Sequence, residues 1–117
     1  MSLRVLLADD SAVVRLALAR RFRLAGHEVV EAANVAEACV VDPHTVDVAV
    51  LDFDLGDGWG DQIAARLRAG HANLPIAFFT STDAGETEER LRPYGPTFAK
   101  PGDTDALVAW VAKHAPA

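Results

Sequence analysis

The sequence has 117 residues, 50% of them hydrophobic, with 17 Asp plus Glu against 11 Lys plus Arg and a formal charge of -6 at pH 7. A chain of this size folds as one domain, 1–117, without a structural metal, and its single cysteine, Cys39, excludes an internal disulfide. The acidic balance, with scattered arginines and only Lys100 and Lys113 as lysines, argues against direct nucleic-acid binding, and no apolar run approaches the roughly 20 residues of a membrane-spanning helix.

The first apolar run, Leu3 to Ala8, is nearly continuous and ends in Asp9-Asp10, the pattern of a strand covered on both faces. Arg4 and Asp9 fall where a secretory leader requires an apolar core, so a cytoplasmic location is expected. Ser11 is placed to cap a helix in which Val14, Ala17, Leu18, Phe22 and Ala25 share one face, Arg20 and Arg23 lie away from it, and Gly26 ends it. A second strand, about Glu28 to Ala32, leads to Asn34, which with Glu37 has the spacing of a capping box for a helix stopping before Pro43.

The third strand, Val46 to Leu51, runs straight into Asp52, and Asp54-Leu55-Gly56-Asp57-Gly58-Trp59-Gly60 reads as a loop. A helix from about Asp61 to Ala69 follows, then a strand from Pro75 to Phe79 ending at Thr80 and a short acidic helix near Ala84 to Arg92. A weak strand at Thr97 to Ala99 is closed by Lys100-Pro101, and a last helix spans about Thr104 to His114. Five such βα units predict helices packed around a parallel sheet.

Asp9, Asp10, Asp52, Thr80 and Lys100 all fall at the carboxyl ends of predicted strands, where open α/β sheets bind ligands. If the first and third strands are neighbours, three carboxylates converge in one crevice. Two charges about 4 Å apart repel by about 1 kcal/mol in water and about 4 at an effective dielectric of 20, so the cluster requires a countercharge. Mg²⁺ takes oxygen ligands and retains waters, which suits such a site. Lys100 adds a positive point charge suited to a phosphoryl group and Thr80 adds a hydroxyl donor. Together they describe phosphoryl transfer, in which a carboxylate itself can act as nucleophile.

In these residues the sequence resembles the receiver domain of two-component response regulators. The resemblance rests on Asp9-Asp10-Ser11, Asp52 after Val48-Ala49-Val50-Leu51, Asp57-Gly58, Leu74-Pro75-Ile76 leading to Thr80, and Lys100-Pro101, in the family's order and at nearly its spacing. It implies a flavodoxin-like, doubly wound five-stranded parallel sheet in order 2-1-3-4-5 with helices on both faces. Asp52 would accept a phosphoryl group from a sensor histidine kinase or a phosphotransfer protein. Mg²⁺ or Mn²⁺ would be bound by Asp10, Asp52 and the main-chain carbonyl of Asp54, with Asp9 completing the pocket and reaching the metal through water. Thr80 would hydrogen-bond the phosphoryl oxygen in the switched state, Lys100 would pair with it, and the Lys100–Pro101 bond would be cis. Such a domain is no classical enzyme: it catalyses only its own phosphorylation and dephosphorylation and signals to an output protein or domain, with a phosphorylation-dependent homodimer left open.

The sequence also departs from that family. Thr97 stands where an aromatic ring is usual, three residues before the lysine, Gly56, Ser81 and Gly102 replace commoner residues, and Pro93 and Pro96 bracket Tyr94 in a shortened stretch. Asp54 and Asp57 read as loop residues rather than side-chain ligands, and Cys39 as a small buried hydrophobe. His27, His44, His71 and His114 read as surface residues without metal-ligand partners. Trp110 falls off the face of Leu107, Val108 and Val111, which leaves an interface or the edge of the core open. Two other functions compete. Asp52-Phe53-Asp54 and Phe78-Phe79-Thr80 resemble motifs of haloacid-dehalogenase-type phosphohydrolases, but the acidic pair comes first here and Gly56 replaces the expected threonine. A pseudo-receiver, a binding module without the chemistry, is the third reading.

Overall fold

The computed structural model describes residues 3–81 and 85–114. Five strands form a sheet, β1 (Arg4–Ala8), β2 (Glu28–Ala32), β3 (Val48–Leu51), β4 (Ile76–Thr80) and β5 (Thr97–Ala99), of which the apolar runs of β1, β3 and β4 are buried and the edge strands β2 and β5 are largely half-buried. All pair in parallel in the order β2-β1-β3-β4-β5, with Val5 opposite Val48, Leu51 opposite Phe78, and Thr80 opposite Ala99. Among the described residues five α-helices cover it: α1 (Ala12–Leu24), α2 (Val35–Cys39), α3 (Gly60–Gly70), α4 (Gly85–Leu91) and α5 (Thr104–Ala112).

Because successive strand residues point to opposite faces, the buried strands feed two cores. Leu6, Leu51 and Phe78 pack with Ala38 of α2, Ile63 and Leu67 of α3, and Leu91 of α4. Leu7, Val50 and Phe79 pack on the other side with Leu18 and Phe22 of α1 and Leu107 and Val111 of α5. Phe22 and Phe78 are fully buried, and truncating either to alanine removes a contact set worth about 3–5 kcal/mol.

The local signals are seen in the backbone. Ser11 Oγ accepts from the Val14 amide at 3.3 Å, and Gly26, at φ +93°, turns the chain out of α1 in the left-handed region that favours glycine. Gly95 is needed for a different reason. A side chain there would run into the Ile76 carbonyl as the segment passes beneath β4 into β5. The Lys100–Pro101 bond is cis.

Several boundaries differ from the sequence reading. The second helix does stop before Pro43, ending at Cys39, and Cys39 is half-buried rather than buried. Proline excludes the helical conformation at the residue before it. Asp42 is accordingly extended, and its carboxylate takes the His44 amide at 3.0 Å to cap a separate 3-10 turn over Pro43–Thr45. Strand β3 begins at Val48, after Asp47 has exchanged two hydrogen bonds with the Arg4 backbone at 2.8 Å each. Ala84, the expected start of the acidic helix, lies outside the described residues.

His27 is a correction: it is 8% exposed, and its Nδ1 accepts the Leu3 amide at 3.1 Å. The reason is position, since the turn at Gly26 brings residue 27 under the start of β1, where an otherwise unpaired strand-entry amide needs an acceptor. Trp110 resolves to the edge of the core. It is half-buried, with its ring 6.3 Å from Phe98 and 4.4 Å from His114. Among the described residues no helix is long and apolar enough to cross a membrane.

Candidate functional site

Neighbouring strands β1 and β3 send their following helices to opposite faces, α1 to one core and α3 to the other. The two chains therefore part at the carboxyl ends of the strands and leave a crevice between them. An open cleft of about 570 Å³ lies there, with Asp10, Asp52, Asp54, Ser81 and Lys100 on its walls.

Asp9 is 2% exposed, and each of its polar groups has a partner. Its amide donates to Ala32 O at 3.0 Å, Oδ1 accepts the Ser11 amide at 2.9 Å, and Oδ2 lies 2.6 Å from the Lys100 ammonium. Its carbonyl accepts from Arg15 Nη1 at 2.7 Å. Asp52, 7% exposed, continues the ladder through its amide to Ala8 O at 2.8 Å. Its Oδ1 accepts the Phe53 amide at 2.7 Å and its Oδ2 accepts from Lys100 Nζ at 3.0 Å.

Asp10 is exposed, yet its carboxylate completes a group in which one oxygen each from Asp9, Asp10 and Asp52 lie within 4.8 Å of one another. Among the described residues this is the one such group of three or more potential metal ligands. Burial pushes the Asp52 carboxyl above its ordinary value, against the pull of Lys100 and the Phe53 amide and with the Asp9 charge adding to the rise. Burial alone would lower Lys100, but its bonds to Asp9 and Asp52 outweigh it and hold the ammonium above its ordinary value.

Lys100 is aimed by the turn that closes β5. Its amide donates to Thr80 O at 3.1 Å, and Asp103 folds back to accept the Ala99 amide at 2.8 Å through Oδ2. Thr80 ends β4 beside this pair and is 3% exposed. The loop after Asp52 is compact: Asp54 Oδ1 takes the Gly56 amide at 3.0 Å, and bonds from Gly60 N to Phe53 O and from Leu55 N to Gly58 O flank Asp54 without using its carbonyl. Gly60 can start α3 here because a side chain at that point would strike the Asp52 carbonyl. Trp59 stacks on Phe53 with ring centroids 5.0 Å apart, and the Arg90 guanidinium of α4 lies 5.3 Å from the Phe53 ring while pairing with Asp61 at 2.6 Å.

The structure thus gathers Asp9, Asp10, Asp52 and Lys100, sets Thr80 on the adjoining strand end, and puts Asp54 on the cleft wall. The histidines are elsewhere, with His44 and His71 stacked on each other at 6.4 Å. One residue at the site, Arg15, and the contact made by another beside it, Asp57, escaped sequence reasoning. Arg15 stands one turn beyond Ser11, and helical side chains lean toward the N-terminus, so its reach to a strand-end carbonyl was legible in principle. Asp57 leaves the loop to accept the Val35 and Ala36 amides at 2.8 and 3.1 Å, a contact across 22 and 21 residues that no local pattern announces.

Comparison with known proteins agrees with this geometry. A family model for the response regulator receiver domain matches residues 5–112. The transcriptional regulatory protein PhoP of Escherichia coli K12 is 32% identical over 94 residues, 80% of this chain and 42% of that protein. The chain therefore spans less than half the length of such curated relatives. Among solved structures, the non-phosphorylated HemR receiver domain from Leptospira biflexa superposes with a TM-score of 0.85 at 24% identity, covering 95% of this chain and 92% of that one. The chemotaxis protein CheY4 of Vibrio cholerae gives 0.86 at 22% identity, covering 98% and 100%. At these identities the structural likeness speaks for the fold.

Proposed function

The chain belongs to the response regulator receiver domain family, and from that premise we propose that residues 1–117 form one receiver domain that accepts a phosphoryl group on Asp52 in a divalent-cation-dependent reaction. The observation that carries this reading is the Asp52 carboxylate itself. It ends a buried strand, shares a 4.8 Å oxygen cluster with Asp9 and Asp10, and meets Lys100 at 3.0 Å.

An all-oxygen donor set with one wall open to water fits Mg²⁺ or Mn²⁺, which keep several waters and bind through one or two carboxylates. Asp10, Asp52 and the Asp54 carbonyl would hold the ion, with Asp9 reaching it through water. Such an ion, when bound, neutralises charge between an attacking carboxylate and an anionic donor.

The chain's own residues do the rest. An Asp52 oxygen forms a bond to phosphorus as the phosphorus–nitrogen bond of a phosphohistidine breaks. The electron pair leaves with the imidazole nitrogen, and an aspartyl phosphate remains. Phosphoryl transfer of this kind is mostly positioning and charge neutralisation. Lys100 then exchanges its contact with Asp52 for the phosphoryl oxygens, and the Thr80 hydroxyl donates to the same group in the switched state. A sensor histidine kinase or phosphotransfer protein is the proposed donor, and an output protein or domain the proposed recipient of the change.

The test is incubation with acetyl phosphate followed by intact-mass measurement. One added phosphoryl group is expected with Mg²⁺ or Mn²⁺, none in EDTA, and none in Asp52→Asn. Addition without metal, or in that variant, would overturn the assignment, and no addition under any condition would favour the pseudo-receiver. Family membership sets the dehalogenase-like hydrolase aside.

A further inference from the structure

Asp10 is the exposed member of the acidic cluster, and its direction depends on the peptide that joins it to Asp9. That peptide is held from α1. Arg15 Nη1 donates to the Asp9 carbonyl at 2.7 Å, while its Nε pairs with Glu31 Oε1 of β2 at 3.3 Å. Glu31 is in turn held by Arg23 at 3.2 Å, and the Arg15 side chain is 16% exposed.

We propose that Arg15 is a positioning residue of the cation site, and that its fork fixes the Asp9–Asp10 peptide plane so that Asp10 presents its carboxylate toward Asp52. The inference rests on the proposed cation-dependent reading of the site. Asp9 already spends its amide on Ala32 and its carboxylate oxygens on Ser11 and Lys100, so its carbonyl is the group left to set the orientation of the next residue. A guanidinium suits the task because its planar donors engage the carbonyl and Glu31 together, which an ammonium cannot do with the same directionality. Glu31 also offsets its charge, so that it orients a carboxylate without strongly repelling a cation.

Geometry and charge make opposite predictions. A residue acting only as a nearby positive charge weakens cation binding, so its removal tightens every divalent ion. A residue acting as a positioner matters most for the ion with the stricter geometry. Mg²⁺ demands a near-ideal octahedron, whereas Ca²⁺ accepts six to eight ligands in flexible arrangements.

The experiment is isothermal titration of the wild-type chain, Arg15→Met and Glu31→Gln with MgCl₂ and separately with CaCl₂, with thermal melts of each protein in EDTA. Loss of a residue that orients metal ligands typically weakens affinity by about 10-fold or more. Arg15→Met is expected to weaken Mg²⁺ by about that factor and Ca²⁺ by much less, and Glu31→Gln to move both ions in the same direction by a smaller amount. If Arg15→Met does not fold, Arg15→Lys carries the test with the same expected selectivity, since it keeps the charge and loses the planar fork. Equal losses for the two ions, no loss, or tighter binding would overturn the proposal. A wild-type chain that binds neither ion would sink the reading of the cation site itself, and the role of Arg15 with it.

Discussion

The Lys100 ammonium lies nearer to Asp9, at 2.6 Å, than to Asp52, at 3.0 Å. It is the shared countercharge of two buried carboxylates, so its loss has a cost even without the proposed phosphoryl group. Breaking a buried pair by removing one partner typically costs 3–5 kcal/mol, and the open cleft beside Asp10 lowers the expectation here to roughly 2–4 kcal/mol. Lys100→Met should therefore lower the urea midpoint in EDTA, and saturating Mg²⁺ should restore more stability to it than to the wild type. A variant as stable as the parent in EDTA would show that Asp9 and Asp52 do not depend on Lys100.

Arg90 is the tie between α4 and the loop that follows Asp52, since one guanidinium meets Asp61 and both the Phe53 and Trp59 rings. Its side chain is 48% exposed, so the ion pair is screened and the cation–π contact is of the exposed kind, together worth about 1 kcal/mol. Arg90→Ala, in a Trp110→Phe background that isolates Trp59, should cost about that much and shift Trp59 emission to the red. Unchanged emission would mean that the stack on Phe53 holds without Arg90.

The strands and the polar residues at their ends were legible because both derive from period and position: a doubly covered strand must be apolar throughout, and its first polar residue marks the end facing ligands. Asp9, Asp10, Asp52, Thr80 and Lys100 were singled out that way. The features that escaped depend on contacts between distant segments. His27 is indistinguishable from a surface histidine until β1 lies above it and supplies the Leu3 amide. Similarly, Glu37 was expected to close a capping box, yet it reaches the Ala33 amide at 2.8 Å, while Asn34 caps Glu37 at 2.8 Å and Asp57 takes the two amides between.

That use of Asp57 carries a pH signature. Its bonds from the Val35 and Ala36 amides hold its carboxyl below the ordinary value. A group with a depressed folded pKa contributes stability that is present above the unfolded value, about 3.9 for Asp, and is lost as pH falls through the lower folded value. Asp57→Asn keeps one carbonyl acceptor and loses the charge, so it should be less stable than the wild type at neutral pH, with the gap closing below about pH 3.9. Urea midpoints measured down that range check it, and a gap independent of pH would count against Asp57 as an anionic cap.

Thr97 bears on how a change at Asp52 would travel. It lies opposite Phe78 in the β4–β5 register, two pairs before Thr80 and Ala99. Because Phe98 packs toward α1 and α5, strand alternation turns Thr97 toward the side of Thr80 and Leu91. If Thr80 turns its hydroxyl toward a phosphoryl group, a threonine at position 97 has too little volume to fill the space released, so no ring rotation there can be coupled to the turn. Tyr94 is a poor substitute. Arg68 holds its carbonyl at 2.6 Å and Leu74 O at 2.9 Å, Gly95 sits hard against the Ile76 carbonyl, and Pro93 and Pro96 stiffen both flanks. Hydrogen exchange with and without beryllofluoride and Mg²⁺ should therefore change most from Thr80 to Glu88 and little from Tyr94 to Ala99. Comparable changes in the two segments would mean that another group takes over the work of the missing aromatic, and that the hydroxyl and β5 move together after all.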